Sequence, residues 1–184
     1  NSIKNNTPNY KLIYCGGSNK NKGIESVKDL VKRLPHNHTL FLVGNYNDRD
    51  VIFFKQYNNV EMIGWIEHEK LLRLFSTVDI LVFPSKEEGC PMTVIEAMSK
   101  KMMVIGANGK GGVKDLIKNT NHIFNISSWG KEASSFISQL TRDELDLSKA
   151  YNYDLYSTSL TMNNVYENLL RSSKMIKPEV VNDD

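Results

Sequence analysis

Two cysteines, five prolines and no long apolar run set the first limits on this chain of 184 residues. Cys15 and Cys90 have neither the spacing of a metal site nor the numbers of a disulfide framework. They read as ordinary thiols of a reducing, cytosolic compartment. No stretch approaches the ~20 apolar residues of a membrane span, and the N-terminus lacks the basic-then-apolar order of a secretory signal. Neither sign of charge is in excess: 23 Lys and Arg against 21 Asp and Glu leave a formal +2. That balance argues against a nucleic-acid groove or a polybasic membrane anchor. The four histidines, His36, His38, His68 and His122, are scattered and read as surface or structural groups. No metal site is expected from them.

What the sequence does contain is a regular alternation. Its length fits one domain with a core of its own. Short apolar runs at 10–15, 38–44, 60–65, 79–85, 102–107 and 122–126 predict strands. Between them, stretches of helical period cover 23–34, 48–57, 68–78, 92–101 and 111–119, and a helical pattern runs from Lys131 to about Ser173. Ile24, Val27, Leu30, Val31 and Leu34 give the first helix an apolar face, and Pro35 ends it. The run DILVFPS is apolar throughout, as a central strand covered on both faces must be. Strand and helix in strict turn predict a Rossmann-like, doubly wound parallel α/β sheet with helices on both faces. Residues 1–10, polar and opening without Met, read as a linker from a larger protein, 11–175 as the folded domain and 176–184 as a frayed tail.

In such sheets ligands sit beyond the carboxyl ends of the strands, so the loops there carry the functional information. In CGGSNKNKG, Gly16 and Gly17 permit a tight turn and Lys22 stands at the entrance of a helix. That suits a phosphate, and equally the sterics of an ordinary strand-to-helix turn. In KEEGCPMTVIEAM, Pro91 fits a first helical position, which leaves the amides of Met92, Thr93 and Val94 for an anion. Val94, Ile95 and Met98 read as core. Glu96 lies about five residues along that helix, roughly 7 Å from its start at ~1.5 Å per residue, a distance that suits a ribose beside a pyrophosphate; taken alone it reads better as a solvated glutamate, and the paired loop acid Glu88 is what favours a site. Glu88, in the loop with Gly89 and Cys90, is a carboxylate suited to accepting bonds from sugar hydroxyls. GANGKGGVKD is a further glycine-rich turn, and Gly64 to Ile66 are placed to offer backbone groups to a base.

Taken together, FPSKEEGCPMTVIEAM resembles the signature of the C-terminal, donor-binding domain of family 4 retaining glycosyltransferases of the GT-B fold. Lys22–Gly23, Leu42–Gly44, Met62–Ile66, VDILVFPS and GGVKDLI follow in the same order as that family's landmarks, so the likeness covers roughly Leu12 to Ile126. The resemblance implies that 11–175 form one half of a GT-B fold and bind a nucleotide-diphosphate sugar, a UDP-sugar in preference to a GDP-sugar. It implies that Lys22 neutralises the donor pyrophosphate and Glu88 holds the transferred sugar, and these two are the expected catalytic residues. Gly16 and Gly17, with Gly89, Cys90 and the amides of Met92 and Thr93, would receive phosphate and sugar. Ile66 would contact the base and Glu96 the ribose. Transfer would retain anomeric configuration without a bound metal or other cofactor. The expected partners are an N-terminal acceptor-binding domain of the same protein and a glycan or lipid-linked acceptor, with no nucleic acid. A cytoplasmic location, peripheral to a membrane through the rest of the protein, follows from the same likeness.

The departures from the family pattern are specific. Family members commonly carry an arginine where this chain has Gly17, so half of the cationic clamp on the pyrophosphate is missing, with Lys20 or a basic residue from another domain as candidate substitutes. Lys101 stands where a glycine is usual after the EAM helix, and Met103 where a proline is usual. The absent arginine supports an alternative, a degenerate module that binds a nucleotide-sugar or a protein without turnover. A dinucleotide-binding domain fits less well, because GGSNKNKG lacks the three-glycine fingerprint and VGNYND offers only the late Asp48.

Overall fold

The structure is a computed structural model that describes residues 8–117 and 122–151. These lie within one compact unit, Asn1–Asn152; the second unit, Tyr153–Asp184, falls outside the described residues, as do most of the expected linker and the whole tail. Six parallel strands form the main sheet: β1 (Lys11–Cys15), β2 (Thr39–Val43), β3 (Val60–Gly64), β4 (Ile80–Phe83), β6 (Met103–Ala107) and β8 (Ile123–Phe124). Their spatial order is β3-β2-β1-β4-β6-β8. The order reverses between β1 and β4, the switch point where α/β sheets open a crevice. The doubly wound fold is as expected from the alternation.

Packing follows from the period-2 geometry of strands. Leu12 and Tyr14 of β1, Ile80 and Val82 of β4, and Met103, Ile105 and Ala107 of β6 join one buried cluster. That cluster is shared with α1 (Ile24–Val31) and α6 (Trp129–Gln139). The alternate residues Ile13, Leu81, Phe83 and Val104 are also buried and turn to the opposite face. On that side α4 (Met92–Ser99) packs beside α3 (His68–Phe75) and α5 (Val113–Leu116). Helix α2 (Asp48–Phe54) joins β2 to β3 and contributes the buried Phe54. With both faces covered, the central strands carry no polar alternation, and all four β4 residues are buried.

Several expected bounds shift for local reasons. A two-residue parallel ladder, β5 (Glu87–Glu88) against β7 (Lys110–Gly111), is too short for any periodic signal. The helical pattern expected from Lys131 starts at Trp129, whose indole N–H donates to the Gly106 carbonyl at 2.8 Å. It then breaks at Leu140 and Thr141. There the Thr141 backbone N–H donates to Glu144 Oε2 at 2.9 Å and the Glu144 N–H donates to Thr141 Oγ1 at 3.2 Å. This capping box starts a separate helix, α7 (Arg142–Tyr151). Residues 152–173 of the expected helical stretch lie outside the described residues.

Candidate functional site

Two loops leave the carboxyl ends of β1 and β4 side by side, and hydrogen bonds stitch them together. The Lys86 backbone N–H donates to the Asn21 carbonyl at 2.8 Å, and Ser85 Oγ lies 3.1 Å from the same oxygen. That stitching brings together two residues that the sequence separates by most of the sheet: the Lys22 ammonium pairs directly with Glu88 Oε1. Ser85 Oγ donates to the same oxygen at 2.8 Å. The Glu88 side chain is only 11% exposed, against 39% for Lys22. Ammonium and hydroxyl give this carboxylate the partners its burial demands. The β5–β7 ladder fixes the backbone on either side of Glu88, with Glu88 opposite Gly111. Ser85 carried no signal in the sequence beyond its place at the end of a buried strand.

The β1–α1 loop is shaped by close backbone approach. A side chain at Gly16 would meet the Tyr14 ring and the stem of Lys22, with Cβ 2.9 Å from Lys22 Cβ. Gly17 has φ +54°, and a Cβ there would lie 2.3 Å from the Asn45 carbonyl oxygen. The next residue, Ser18, donates its N–H to that same carbonyl at 3.0 Å. Where the family pattern has an arginine, this chain seats backbone on backbone. Behind the loop, Ser18 Oγ accepts from the Asn47 N–H at 2.9 Å, and Asn47 Nδ2 donates to Asp50 Oδ2 at 3.2 Å. Asp50, 4% exposed, is paired with Lys28 of α1 at 2.6 Å. Burial alone would push the Asp50 carboxyl up; hydrogen bonds from Lys28, Ser18 and Asn47, with the Lys28 charge, hold it below the usual carboxylate range.

At the start of α4 the expectation needs correction. Pro91 is the N-cap rather than the first helical residue, and α4 begins at Met92. The Met92 N–H turns back to the Cys90 carbonyl at 2.9 Å and the Val94 N–H to the Pro91 carbonyl at 2.9 Å. Of the three amides expected to face an anion, those of Met92 and Val94 are therefore engaged, and the Thr93 N–H donates to no group among the described residues. Further along the helix Val94, Ala97 and Met98 are buried, and Ile95 is half-buried. The Glu96 side chain, 22% exposed, meets His68 of α3, with Nε2 2.9 Å from Oε1. His68, read from sequence as a surface or structural group, is exposed and touches a predicted site residue. His38 and His122 are buried; His38 Nδ1 accepts the Tyr10 N–H at 3.1 Å.

Between these loops lies an open cleft of about 480 Å³. Of the predicted residues, Gly16, Gly17, Ile66 and Thr93 line it, together with Cys15, Trp65 and Leu71. Lys22, Glu88, Gly89, Cys90, Met92 and Glu96 do not line this cleft; Gly89 and Cys90 are exposed on the β5–α4 turn. Trp65, 66% exposed, is the large aromatic of the rim. At the floor of the cleft the Cys15 thiol is pushed up to about 12 by burial first and by the nearby Glu96 charge second. Among the described residues no group of three or more His, Cys, Asp or Glu side chains is placed to hold a metal ion. Nor is any described helix long and apolar enough to cross a membrane.

Comparison with known proteins identifies the fold's kin. The chain is 26% identical over 116 residues to a sulfoquinovosyl transferase of Arabidopsis thaliana, covering 62% of this chain and 22% of that protein. It is 26% identical over 117 residues to an uncharacterized glycosyltransferase of Methanocaldococcus jannaschii, covering 58% and 29%. The chain thus spans less than a third of the length of these curated relatives. Among solved structures, the pneumococcal O-GlcNAc transferase GtfA, in complex with UDP and GlcNAc, superposes with a TM-score of 0.69 at 20% identity, over 92% of this chain and 36% of that one. Anabaena HepE in complex with UDP-glucose gives 0.64 at 16% identity, over 87% and 49%. The C-terminal domain of a group 1 glycosyl transferase from Francisella tularensis gives 0.59 at 20% identity, over 82% and 86%. The family model described as "Glycosyl transferases group 1" matches residues 1–153, and the chain belongs to that family.

Proposed function

We propose that this chain is the donor-binding half of a family 4, retaining glycosyltransferase that moves a sugar from a nucleotide diphosphate to a glycan or lipid-linked acceptor. The observation that carries the reading is the meeting of Lys22 and Glu88, from two separate loops, at the carboxyl edge of the sheet. A cation and an acid held together beside a helix start fit a pyrophosphate and its attached sugar. In this reading Lys22 receives the pyrophosphate while staying within reach of Glu88. Glu88 accepts from a sugar hydroxyl, Gly89 and Cys90 edge the sugar pocket, and the Thr93 amide faces a phosphate oxygen. Gly16 and Gly17 let the diphosphate approach the backbone, Ile66 meets the base, and Glu96 takes the ribose. Transfer then depends on positioning and on stabilising the departing nucleoside diphosphate, which takes part in deprotonating the acceptor.

A UDP-sugar is the preferred donor, because relatives of this fold were solved with UDP, UDP-glucose, and UDP with GlcNAc. The proposed domain runs over 11–175. Its acceptor-binding partner is a separate N-terminal domain of the same protein, consistent with structural relatives about twice as long as the stretch matched. A cytoplasmic site of action, peripheral to a membrane, completes the proposal.

Calorimetric titration of the chain with UDP, GDP and ADP tests it. Saturable UDP binding, weakened roughly tenfold or more by Lys22→Ala and by Glu96→Ala, is expected. No saturation with any nucleotide at millimolar concentration would refute a donor site contained in this chain. One observation favours a second reading, a binding module without turnover: the seat of the missing arginine is closed by the Gly17–Asn45 contact. Donor binding with no turnover in the full-length protein supplied with acceptor would select it.

A further inference from the structure

We propose that His68 is a positioning residue for nucleotide recognition: it holds Glu96 through one carboxylate oxygen, so that the other is presented to the ribose. The inference rests on the role given to Glu96 above and extends it to a residue outside the recognised motif.

Three observations support it. His68 Nε2 lies 2.9 Å from Glu96 Oε1, and no other side chain among the described residues bonds that carboxylate. A carboxylate only accepts, so His68 donates, as the Nε2–H tautomer or as imidazolium. The Glu96 side chain is 22% exposed while His68 is 62% exposed, so the histidine closes the outer side of a largely covered acid. Finally, His68 opens α3 directly after Ile66 and Glu67, and Ile66 lines the cleft. The base-facing segment and the ribose acid are therefore fastened to each other through the start of α3. An exposed ion pair contributes little to folding stability. The value of this contact lies instead in fixing a flexible glutamate before the ligand arrives, which lowers the ordering cost of binding.

The test compares UDP with 2′,3′-dideoxy-UDP on the chain and its His68→Ala, His68→Gln and Glu96→Ala variants, with melting curves to confirm that each is folded. The expected result is that His68→Ala weakens UDP binding roughly three- to tenfold and that His68→Gln, which keeps a donor, recovers most of the loss. The dideoxy nucleotide, lacking the hydroxyls Glu96 would bind, should bind wild type and His68→Ala alike. Unchanged UDP affinity in His68→Ala, with Glu96→Ala still impaired, overturns the positioning role alone. Equal losses for both ligands, or no rescue by glutamine, overturn it too, since His68 would then act on the base or the loop. UDP binding that is absent from wild type, or indifferent to Glu96→Ala, overturns the donor-site reading and this inference with it.

Discussion

Replacing Lys101 by glycine should stabilise the fold. Lys101 follows the last turn of α4 with φ +58°, the only positive φ of a non-glycine residue among those described. The Met102 N–H reaches back to the Ala97 carbonyl at 3.0 Å and the Lys101 N–H to the Met98 carbonyl at 2.9 Å. This is a Schellman closure, whose left-handed position is normally glycine. A side chain there costs about 1–2 kcal/mol against the following carbonyl. Glycine removes that cost but gains freedom in the unfolded chain, worth about 0.4–1 kcal/mol the other way. It also gives up a cation at the helix C-terminus, worth about 0.3–1 kcal/mol and least at an exposed site. The net expectation for Lys101→Gly is about 0.5 kcal/mol of stabilisation, or ~1–2 °C in Tm for a chain of this size. Lys101→Ala is the control: it loses the same charge but keeps a Cβ. Melting curves should place glycine above alanine by about 1 kcal/mol. Glycine melting at or below alanine would show that the left-handed turn is not a source of strain.

Three further outcomes follow from the site's surroundings. Gly17→Arg, which restores the residue type of the family pattern, should destabilise by about 1–3 kcal/mol in urea unfolding and fail to strengthen nucleotide binding, because the site lies in left-handed backbone against Asn45. A folded Gly17→Arg variant with tighter UDP binding would contradict this. Asp50→Asn should cost about 1–3 kcal/mol near neutral pH, since it leaves the largely covered Lys28 with only the exposed Glu25 as an acid partner. The folded carboxyl of Asp50 lies below its ordinary value, so its contribution is present above that value and is lost as pH falls through the acid range; the variant's stability should fall less steeply there. Parallel acid limbs for wild type and variant would remove Asp50 as the cause. Thiol labelling at pH 8 should modify the exposed Cys90 and spare Cys15, whose thiol is pushed up to about 12 mainly by burial, until the chain unfolds. Cys15 labelling as fast as Cys90 would contradict the described floor of the cleft.

The strand and helix alternation was legible because burial on both sheet faces writes itself into composition: runs such as ILVF have no polar position to spare. Elements held by polar contacts left weaker traces. The β5–β7 ladder is two residues long. The break before α7 is written as the capping box Thr141 to Glu144, within a stretch whose apolar period continues across it. The site divides in the same way. Lys22, Glu88 and Glu96 were found through the local chemistry of their loops and through family pattern. His68, Asp50 and Lys28 were not, because each acts on a residue distant in sequence, and Ser85 was not, because a serine ending a buried strand carries no pattern of its own. Ser85 meets Glu88 only because β4 delivers both to one turn, and His68 meets Glu96 across two helices. At α4 a local rule misled: Pro91 at N1 would have left three free amides, but Pro91 caps the helix and Met92 folds back on Cys90.

The glycine at 17 joins these two kinds of information. In the sequence it is a missing charge, and by itself would suggest decay of a phosphate clamp. In the structure it is one side of a tight junction: Gly17 against Asn45, Ser18 bonded to Asn45 and Asn47, and Asn47 bonded to the buried Asp50, which is paired with Lys28. A loop that had simply lost a functional side chain would keep the room that side chain required. This one has filled the room with backbone and backed it with a satisfied polar network, which fixes the turn that carries Lys22 toward Glu88. The loss of one cation and the rigid placement of the other are thus aspects of a single local structure. In the proposed donor site, a second positive charge on the pyrophosphate would therefore have to come from outside the Gly16–Ser18 turn.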